Sequence, residues 1–212
     1  MDELNNSIYS KSRFPPYSLL AKVFTKEVAR EILMRLYGFG WQSHVNRSVH
    51  KGEWDVIALR CPKLYDHSHP ILQCFSHEGT ELNSADAWTN LPIINLFPEI
   101  LTALNQIQCP IKSVRFMRLH AGASILPHCD TGVSLSMGEA RLHLPLSLPK
   151  GVSFYVAGKR IPMMVGKLYY IDANREHWVI NNGTEERVHL VVDCIANQWI
   201  EKLVLCKYSQ VE

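Results

Sequence analysis

The sequence predicts a mainly β fold, either a β-sandwich or a jelly roll, with N-terminal α-helices packed on it. From about residue 112 to residue 194, short runs rich in Val, Ile, Leu, Phe and Tyr repeat with a period of two, as in strands with one buried face. Before this region, apolar residues recur every three to four positions, which is typical of amphipathic helices. Six or more short strands at such spacing favour an antiparallel sandwich or jelly roll.

Two helices are predicted in the N-terminal part. Residues 25–38 begin with a candidate N-cap, Thr25, place Val28, Ile32 and Leu36 on one face, and end at a glycine. Residues 91–106 carry a broad apolar face, but Pro98 should limit or kink the first turn of this helix.

The strands are predicted at residues 113–120, 141–148, 152–157, 167–172, 177–180 and 186–194. The strand 141–148 has the clearest alternation, because its leucines occupy every second position while Arg141 and His143 lie on the opposite face. A strand face that carries Arg and His indicates a polar environment on that side.

Composition indicates one globular domain. The chain has 212 residues, of which 47% are hydrophobic, and neither a repeat nor a linker divides it. We therefore predict a single domain over residues 1–212, with a helix-rich part at 1–110, a β core at 111–195 and a C-terminal tail at 196–212.

Charge and cysteine usage argue against several classes of partner. The formal net charge is +2, which favours neither nucleic acid nor an anionic membrane. The first residues are acidic and polar where a signal peptide would be basic and then apolar, and no apolar run approaches the length of a membrane span. The six cysteines form no CxxC pair, so we expect a cytoplasmic protein with reduced thiols.

A candidate metal site combines His128, Asp130 and His177. The HxD unit places two ligand types on the same side of an extended chain, and His177 begins another predicted strand. Two histidines and one carboxylate form the facial triad of non-haem Fe(II) sites. From these residues alone, three unrelated side chains remain the alternative.

Arg187 follows His177 by ten positions. A three-residue loop at 181–183 with Gly183 left-handed would place Arg187 opposite His177 in a hairpin, on the same face. A two-residue turn at 182–183 would slip the register by one and put Arg187 on the other face. A guanidinium beside a metal ligand is suited to binding a carboxylate.

With these residues in place, the sequence resembles the aspartyl/asparaginyl β-hydroxylase family of Fe(II)- and 2-oxoglutarate-dependent dioxygenases, and is more similar to its bacterial branch, which includes proline hydroxylases. The resemblance covers residues 112–194 and, more weakly, 51–54. It implies a cupin-like jelly roll, the double-stranded β-helix, as the catalytic core. By the resemblance, the iron ligands would be His128, Asp130 and His177, and the residues that contact 2-oxoglutarate would be Arg187, Arg141, His143 and Trp54.

The resemblance implies an enzyme that uses Fe(II), 2-oxoglutarate and O2 to hydroxylate an unactivated carbon of a small amino acid or amino-acid derivative, free, carrier-bound or peptidic. The alternatives are a peptidyl Asp or Asn β-hydroxylase and, from another class, a non-catalytic jelly-roll module that binds carboxylates. In animal members of the family, a serine contacts 2-oxoglutarate where Met117 aligns here.

Three further polar residues are candidates for the site because of the strand face on which they lie. Arg118 and His120 share one face of the strand that leads to His128 and are candidates for the carboxylate of the substrate, with an ion pair as the alternative. His189 shares a face with Arg187, either as a neighbour of the site or as a hydrogen-bonded core histidine.

Overall fold

Strands dominate the computed structural model, which describes residues 13–63, 69–71 and 85–208. The strands in chain order are β1 (Tyr17–Lys22), β2 (Gln42–Ser43), β3 (His50–Lys51), β4 (Trp54–Pro62), β5 (Trp88–Asn90), β6 (Ile111–Leu119), β7 (Ser124–His128), β8 (Glu139–Ser147), β9 (Val152–Val156), β10 (Lys159–Arg160), β11 (Lys167–Ile171), β12 (His177–Asn181) and β13 (Arg187–Ile195). All six predicted strands are present, each within about two residues of its predicted bounds.

These strands form two antiparallel sheets. In the described part of the chain the larger sheet has the order β1-β11-β8-β13-β6-β4-β2, with β5 added beside β4, and the smaller sheet has the order β10-β9-β12-β7-β3. From β6 onward, successive segments alternate between the larger and the smaller sheet, except for the hairpin of β9 and β10. This alternation brings two sheets face to face and creates an interior between them.

The helices cover the outer face of the larger sheet. The first, α1 (Lys26–Leu36), begins as predicted, since the Thr25 side chain accepts a hydrogen bond from the Val28 backbone. The second prediction is split: a 3₁₀ turn at Pro92–Leu96 precedes α2 (Pro98–Leu104). The break falls where predicted, because proline fixes its own φ and disfavours helical geometry in the residue before it.

A third helix, α3 (Gln198–Tyr208), lies within the predicted C-terminal tail, so the helices are not all N-terminal. The Asn197 side chain accepts hydrogen bonds from the backbone of Trp199 and Ile200 at the start of α3 and so caps its first turn. Ile200 and Val204 are fully buried. The N-terminal part is also less helical than predicted, because it contributes β1 to β5 to the two sheets.

Two hydrophobic cores follow from this layering. One lies between the helices and the outer face of the larger sheet and includes Ile32, Ile100 and Phe116. The other lies between the two sheets and includes Val56, Leu119 and Val156. In the described residues, no helix is long and apolar enough to cross a bilayer.

The predicted hairpin between His177 and Arg187 is wrong. β12 pairs with β7 and β9 in the smaller sheet, whereas β13 pairs with β6 and β8 in the larger one. Gly183 is not left-handed. A Cβ at that position would lie 2.4 Å from the Lys150 carbonyl oxygen, so this glycine permits a close approach of two backbones.

Asn181 stabilises the crossing between the sheets. Its side-chain amide donates to the carbonyl oxygens of Leu119, His120 and Glu185 at 3.2, 2.9 and 2.9 Å, and its side-chain oxygen accepts from the Gly183 backbone at 3.1 Å. Because these bonds satisfy a fully buried amide, residues 181–186 carry the chain from one sheet to the other instead of turning back.

Candidate active site

The predicted metal ligands come together at one end of the smaller sheet. His128 ends β7, His177 begins β12, and the two residues are directly opposite each other in the register. Asp130 follows β7, and its backbone nitrogen donates to the Ala173 carbonyl oxygen at 2.8 Å. One ligand atom from each of the three side chains lies within 4.8 Å of the other two. The structure thus brings together the triad that the sequence predicted.

Both histidines are prepared to bind a metal. The Nδ1 atom of His128 lies 2.7 Å from the Leu126 carbonyl oxygen, and that of His177 lies 3.0 Å from the Arg175 carbonyl oxygen. Because a carbonyl oxygen only accepts, each Nδ1 carries the proton and each Nε2 is left with a free lone pair. Burial lowers the pKa of His177 to about 4, so this ring is neutral at physiological pH. With Asp130, these donors fit the facial triad of Fe(II).

Asp130 is ionised and held by Arg141. Burial alone would raise the pKa of Asp130, but Arg141 and the two histidines outweigh it, and the pKa lies below its ordinary value. The Arg141 guanidinium donates to Asp130 through Nη1. A carboxylate oriented in this way supplies the negative charge that a divalent ion needs from its ligands.

Arg141 is itself held in place by Asp193. Its Nε and Nη2 atoms donate to the two oxygens of Asp193 at 2.7 and 3.2 Å. The same carboxylate accepts from Arg115 at 2.8 Å and from Ser113 at 3.0 Å. Burial raises the pKa of Asp193, but Arg115 and Arg141 outweigh it and hold the pKa well below its ordinary value. The chain Arg115–Asp193–Arg141–Asp130 is therefore a network of alternating charge that is buried at Arg115 and Asp193 and partly exposed at Asp130.

Arg187 enters the same interior from the larger sheet. It begins β13 and is only 2% exposed. Its guanidinium carbon lies 5.5 Å from the centre of the Phe154 ring, and the His177 ring lies 6.4 Å from that ring. No carboxylate of the described residues pairs with Arg187, and its Nε is buried without a hydrogen-bond partner. A buried, uncompensated guanidinium of this kind is a strong receptor for a carboxylate.

A cleft of about 550 Å³ reaches Arg187 and His189. Its walls include Phe154, Ile161 and Met163. This combination of apolar walls with a few converging polar groups is typical of a small-molecule site.

His143 and Trp54 also face the interior. The His143 ring lies 5.4 Å from the Phe154 ring and edge-on to it. Burial, followed by the charges of Arg187 and Arg141, lowers the pKa of His143 well below its ordinary value, so the ring is neutral. Trp54 shares a row of the larger sheet with Arg187, because both residues pair with Leu119 from opposite sides. The indole Nε1 of Trp54 is buried without a partner in the described residues.

Arg118 and His120 do not join this group. Arg118 lies on the same face of β6 as Phe116, which packs on the helix side of the larger sheet. Its guanidinium donates to Asp55 at 2.7 Å and lies over the Trp41 ring at 4.4 Å, and His120 Nε2 lies 2.7 Å from the same carboxylate. The ion pair that the sequence left open is thus present, and a substrate role for these two residues stays a prediction.

Sequence reasoning left the role of His189 open and did not name Asp193 or Arg115 as site residues. The signal for His189 and Asp193 was parity, because they follow Arg187 at even intervals along β13 and therefore share its face. Arg115 depends on the pairing of β13 with β6, which no local pattern predicts.

A model of the aspartyl/asparaginyl β-hydroxylase family matches residues 40–197. The chain belongs to this family. The matched region includes the triad, Arg141, His143 and Arg187, and the resemblance predicted from those residues is confirmed.

One curated relative is L-proline cis-4-hydroxylase of Rhizobium meliloti (strain 1021), to which the chain is 25% identical over 154 residues. That alignment covers 72% of the chain and 51% of the relative, so the chain spans about half the length of this curated protein.

Two solved structures share the fold. An oxidoreductase of the 2OG-Fe(II) oxygenase family from Burkholderia pseudomallei matches with a TM-score of 0.53 at 13% identity, covering 86% of this chain and 88% of that chain. The α-ketoglutarate-dependent epimerase SnoN from nogalamycin biosynthesis matches with a TM-score of 0.52 at 15% identity, covering 85% and 78%. These similarities confirm the predicted fold class.

The buried histidines of this hydroxylase-family chain predict a dependence of stability on pH. Burial lowers the pKa of His44 and of His177 to about 4. Below about pH 6.5 the unfolded chain takes up protons that the folded chain does not, so stability is fully present above pH 6.5 and falls as the pH approaches 4. At pH 5 each of these two rings should reduce the free energy of unfolding by about 2 kcal/mol.

Urea unfolding of the metal-free protein between pH 7 and pH 5 measures this loss. His44→Phe, which leaves the triad intact, should make the slope with pH smaller. A free energy of unfolding that does not change over this range would contradict the assignment of neutral, buried rings.

Proposed function

We propose that this chain is an Fe(II)- and 2-oxoglutarate-dependent dioxygenase that hydroxylates a carbon of a small amino acid or amino-acid derivative. The observation that supports this best is the shared interior. A facial triad on the smaller sheet and an uncompensated guanidinium on the larger sheet both lie beside Phe154. Together they offer one site for a metal and one for the far end of a dicarboxylate.

The triad would hold Fe(II) through His128 Nε2, His177 Nε2 and a carboxylate oxygen of Asp130. Three protein ligands would leave positions on the metal for cosubstrate and O2. When bound, iron and 2-oxoglutarate supply the oxidation, in which one oxygen atom of O2 enters the substrate and the other enters succinate, with loss of CO2.

The protein groups around the metal would bind and orient the cosubstrate. Arg187 would pair with the distal carboxylate, because no carboxylate among the residues that the structure describes pairs with this guanidinium. Arg141 and His143 would face the other end of 2-oxoglutarate, and Trp54 Nε1 would donate from the wall. The apolar ring of Phe154, which lies beside both Arg187 and His177, would help to exclude water and so strengthen each charged contact.

A small amino-acid substrate is supported by the proline hydroxylase relative, with which this chain shares a quarter of its aligned residues. A peptidyl Asp or Asn side chain is the alternative within the same chemistry.

Succinate formation from 2-oxoglutarate in the presence of Fe(II) and O2, without any added substrate, tests the proposed activity. We expect slow turnover that requires both Fe(II) and O2. Tight binding of 2-oxoglutarate with no succinate would instead indicate the non-catalytic carboxylate-binding module.

A panel of free amino acids, including proline, and a panel of Asp- and Asn-containing peptides then test the substrate class. We expect stimulation of succinate formation, together with a mass increase of one oxygen, in the free amino-acid panel. The same result in the peptide panel alone would overturn the small-molecule assignment.

A further inference from the structure

His189 has a defined proton position. The Arg187 Nη2 atom lies 2.8 Å from His189 Nδ1. Because a guanidinium nitrogen only donates, His189 Nδ1 is the acceptor. Burial, followed by the charges of Arg187 and His143, lowers the pKa of His189 well below its ordinary value. The neutral ring therefore carries its proton on Nε2.

That Nε2–H group has no hydrogen-bond partner in the described residues, although His189 is 0% exposed. The neighbouring Nε of Arg187 is also buried without a partner. Both residues line the same cleft. A buried donor without an acceptor destabilises the fold, and two such donors beside one cleft indicate a ligand that accepts from both.

Met117 offers no hydrogen-bond donor beside His189. This residue stands where the resemblance aligns a serine that contacts 2-oxoglutarate, and a thioether cannot donate a hydrogen bond. Met117 is directly opposite His189 in the pairing of β6 with β13. Side chains of such a pair lie side by side on one face of a sheet, so a donor on His189 reaches the space that a donor at position 117 would reach.

We propose that His189 binds the distal carboxylate of 2-oxoglutarate through Nε2–H, beside Arg187, and replaces the hydroxyl donor that Met117 lacks. This inference rests on the proposed function. It adds a second role for His189, which also orients the guanidinium of Arg187 through Nδ1. The carboxylate would then accept from the Nε atom of Arg187 and the Nε2 atom of His189, the two donors that the protein leaves unpaired.

The test compares two ligands that differ only at the distal end. Calorimetry with Mn(II)-loaded protein in the absence of O2 gives the dissociation constant of 2-oxoglutarate and of 2-oxobutanoate, which has the same oxo-acid end but no distal carboxylate. We expect His189→Leu to weaken 2-oxoglutarate about tenfold, as for loss of a hydrogen bond to a charged group. Binding of 2-oxobutanoate should stay within about twofold of the wild type.

Three further variants make the result specific. His189→Gln keeps an N–H donor at similar reach and should stay within about threefold of the wild type for 2-oxoglutarate. Met117→Ser added to His189→Leu should recover part of the loss. Met34→Leu, at an exposed residue of α1 outside the cleft, should bind both ligands as the wild type does. Should His189→Leu fail to fold, His189→Asn gives the same comparison, because the shorter amide side chain does not reach the position of Nε2.

Equal binding of 2-oxoglutarate by the wild type and by His189→Leu, or a parallel loss for both ligands, would overturn the role of His189. A wild-type protein that binds no 2-oxoglutarate would overturn the proposed function as well. The two failures are therefore distinguishable.

Discussion

His177→Ala is expected to abolish succinate formation. The substitution removes one of the three proposed metal ligands, a buried ring that lies opposite His128. Loss of a group that only supports a metal ligand typically costs up to about 100-fold in affinity or activity, so loss of the ligand itself should cost more than about 100-fold. Asp130→Ala should have a similar effect and, in addition, remove the carboxylate to which Arg141 Nη1 donates.

Two measurements check this result. The first is succinate formation at saturating Fe(II), and the second is the affinity for Mn(II), which does not depend on turnover. His69→Ala is the matched control, because His69 Nε2 lies 2.9 Å from the Ser43 carbonyl oxygen and outside the triad. Unchanged succinate formation in His177→Ala or in Asp130→Ala would refute the metal assignment.

Asp193→Asn is expected to cause a large loss of stability. Asp193 is 5% exposed and accepts from both Arg115 and Arg141. Replacing this carboxylate by an amide leaves two guanidinium groups without their shared counter-charge. Removal of one partner from a buried ion pair typically costs about 3 to 5 kcal/mol. Because Arg141 then loses its anchor, affinity for Mn(II) should also fall through the weaker orientation of Asp130.

The pH dependence of the same group has a defined sign. The pKa of Asp193 is lowered in the folded protein, so its stabilising effect is present above about pH 4 and is lost as the pH falls further and the unfolded chain takes up the proton. The asparagine variant should therefore lose less stability than the wild type between pH 4 and pH 3.

Urea unfolding measures both effects, with Glu99→Gln as the matched control. Glu99 also pairs with an arginine, Arg35, but both side chains are partly exposed, and such pairs contribute about 1 kcal/mol or less. Equal destabilisation by the two substitutions would contradict the importance of the buried network.

The regular elements of this fold were predictable because they depend on local patterns. Alternation in β8 and the N-cap at Thr25 each act over a few residues, and both predictions are confirmed. The helix α3 was missed because its stabilising contacts, the burial of Ile200 and Val204, depend on distant parts of the chain.

The candidate site was predictable only in part. Residue type and spacing were sufficient to select His128, Asp130 and His177, since these types are characteristic of metal sites. The position of Arg187 was derived from a hairpin that does not exist. Local turn chemistry at Gly183 permits a hairpin, but the Asn181 hydrogen bonds to two carbonyls at the end of β6 favour a crossing between the sheets. Such non-local hydrogen bonds cannot be predicted from a short stretch of sequence.

The division of the site between two sheets has a consequence for the evolution of its selectivity. The two histidines of the proposed metal site belong to the smaller sheet, and Arg187, the proposed carboxylate receptor, belongs to the larger one. No single strand therefore sets the span between them. The span is set by the thickness of the layer of side chains between the sheets, in which Phe154 lies. Substitutions in that layer would change the distance between the proposed metal site and Arg187. They would favour shorter or longer oxo diacids while every ligand and every charge stays in place.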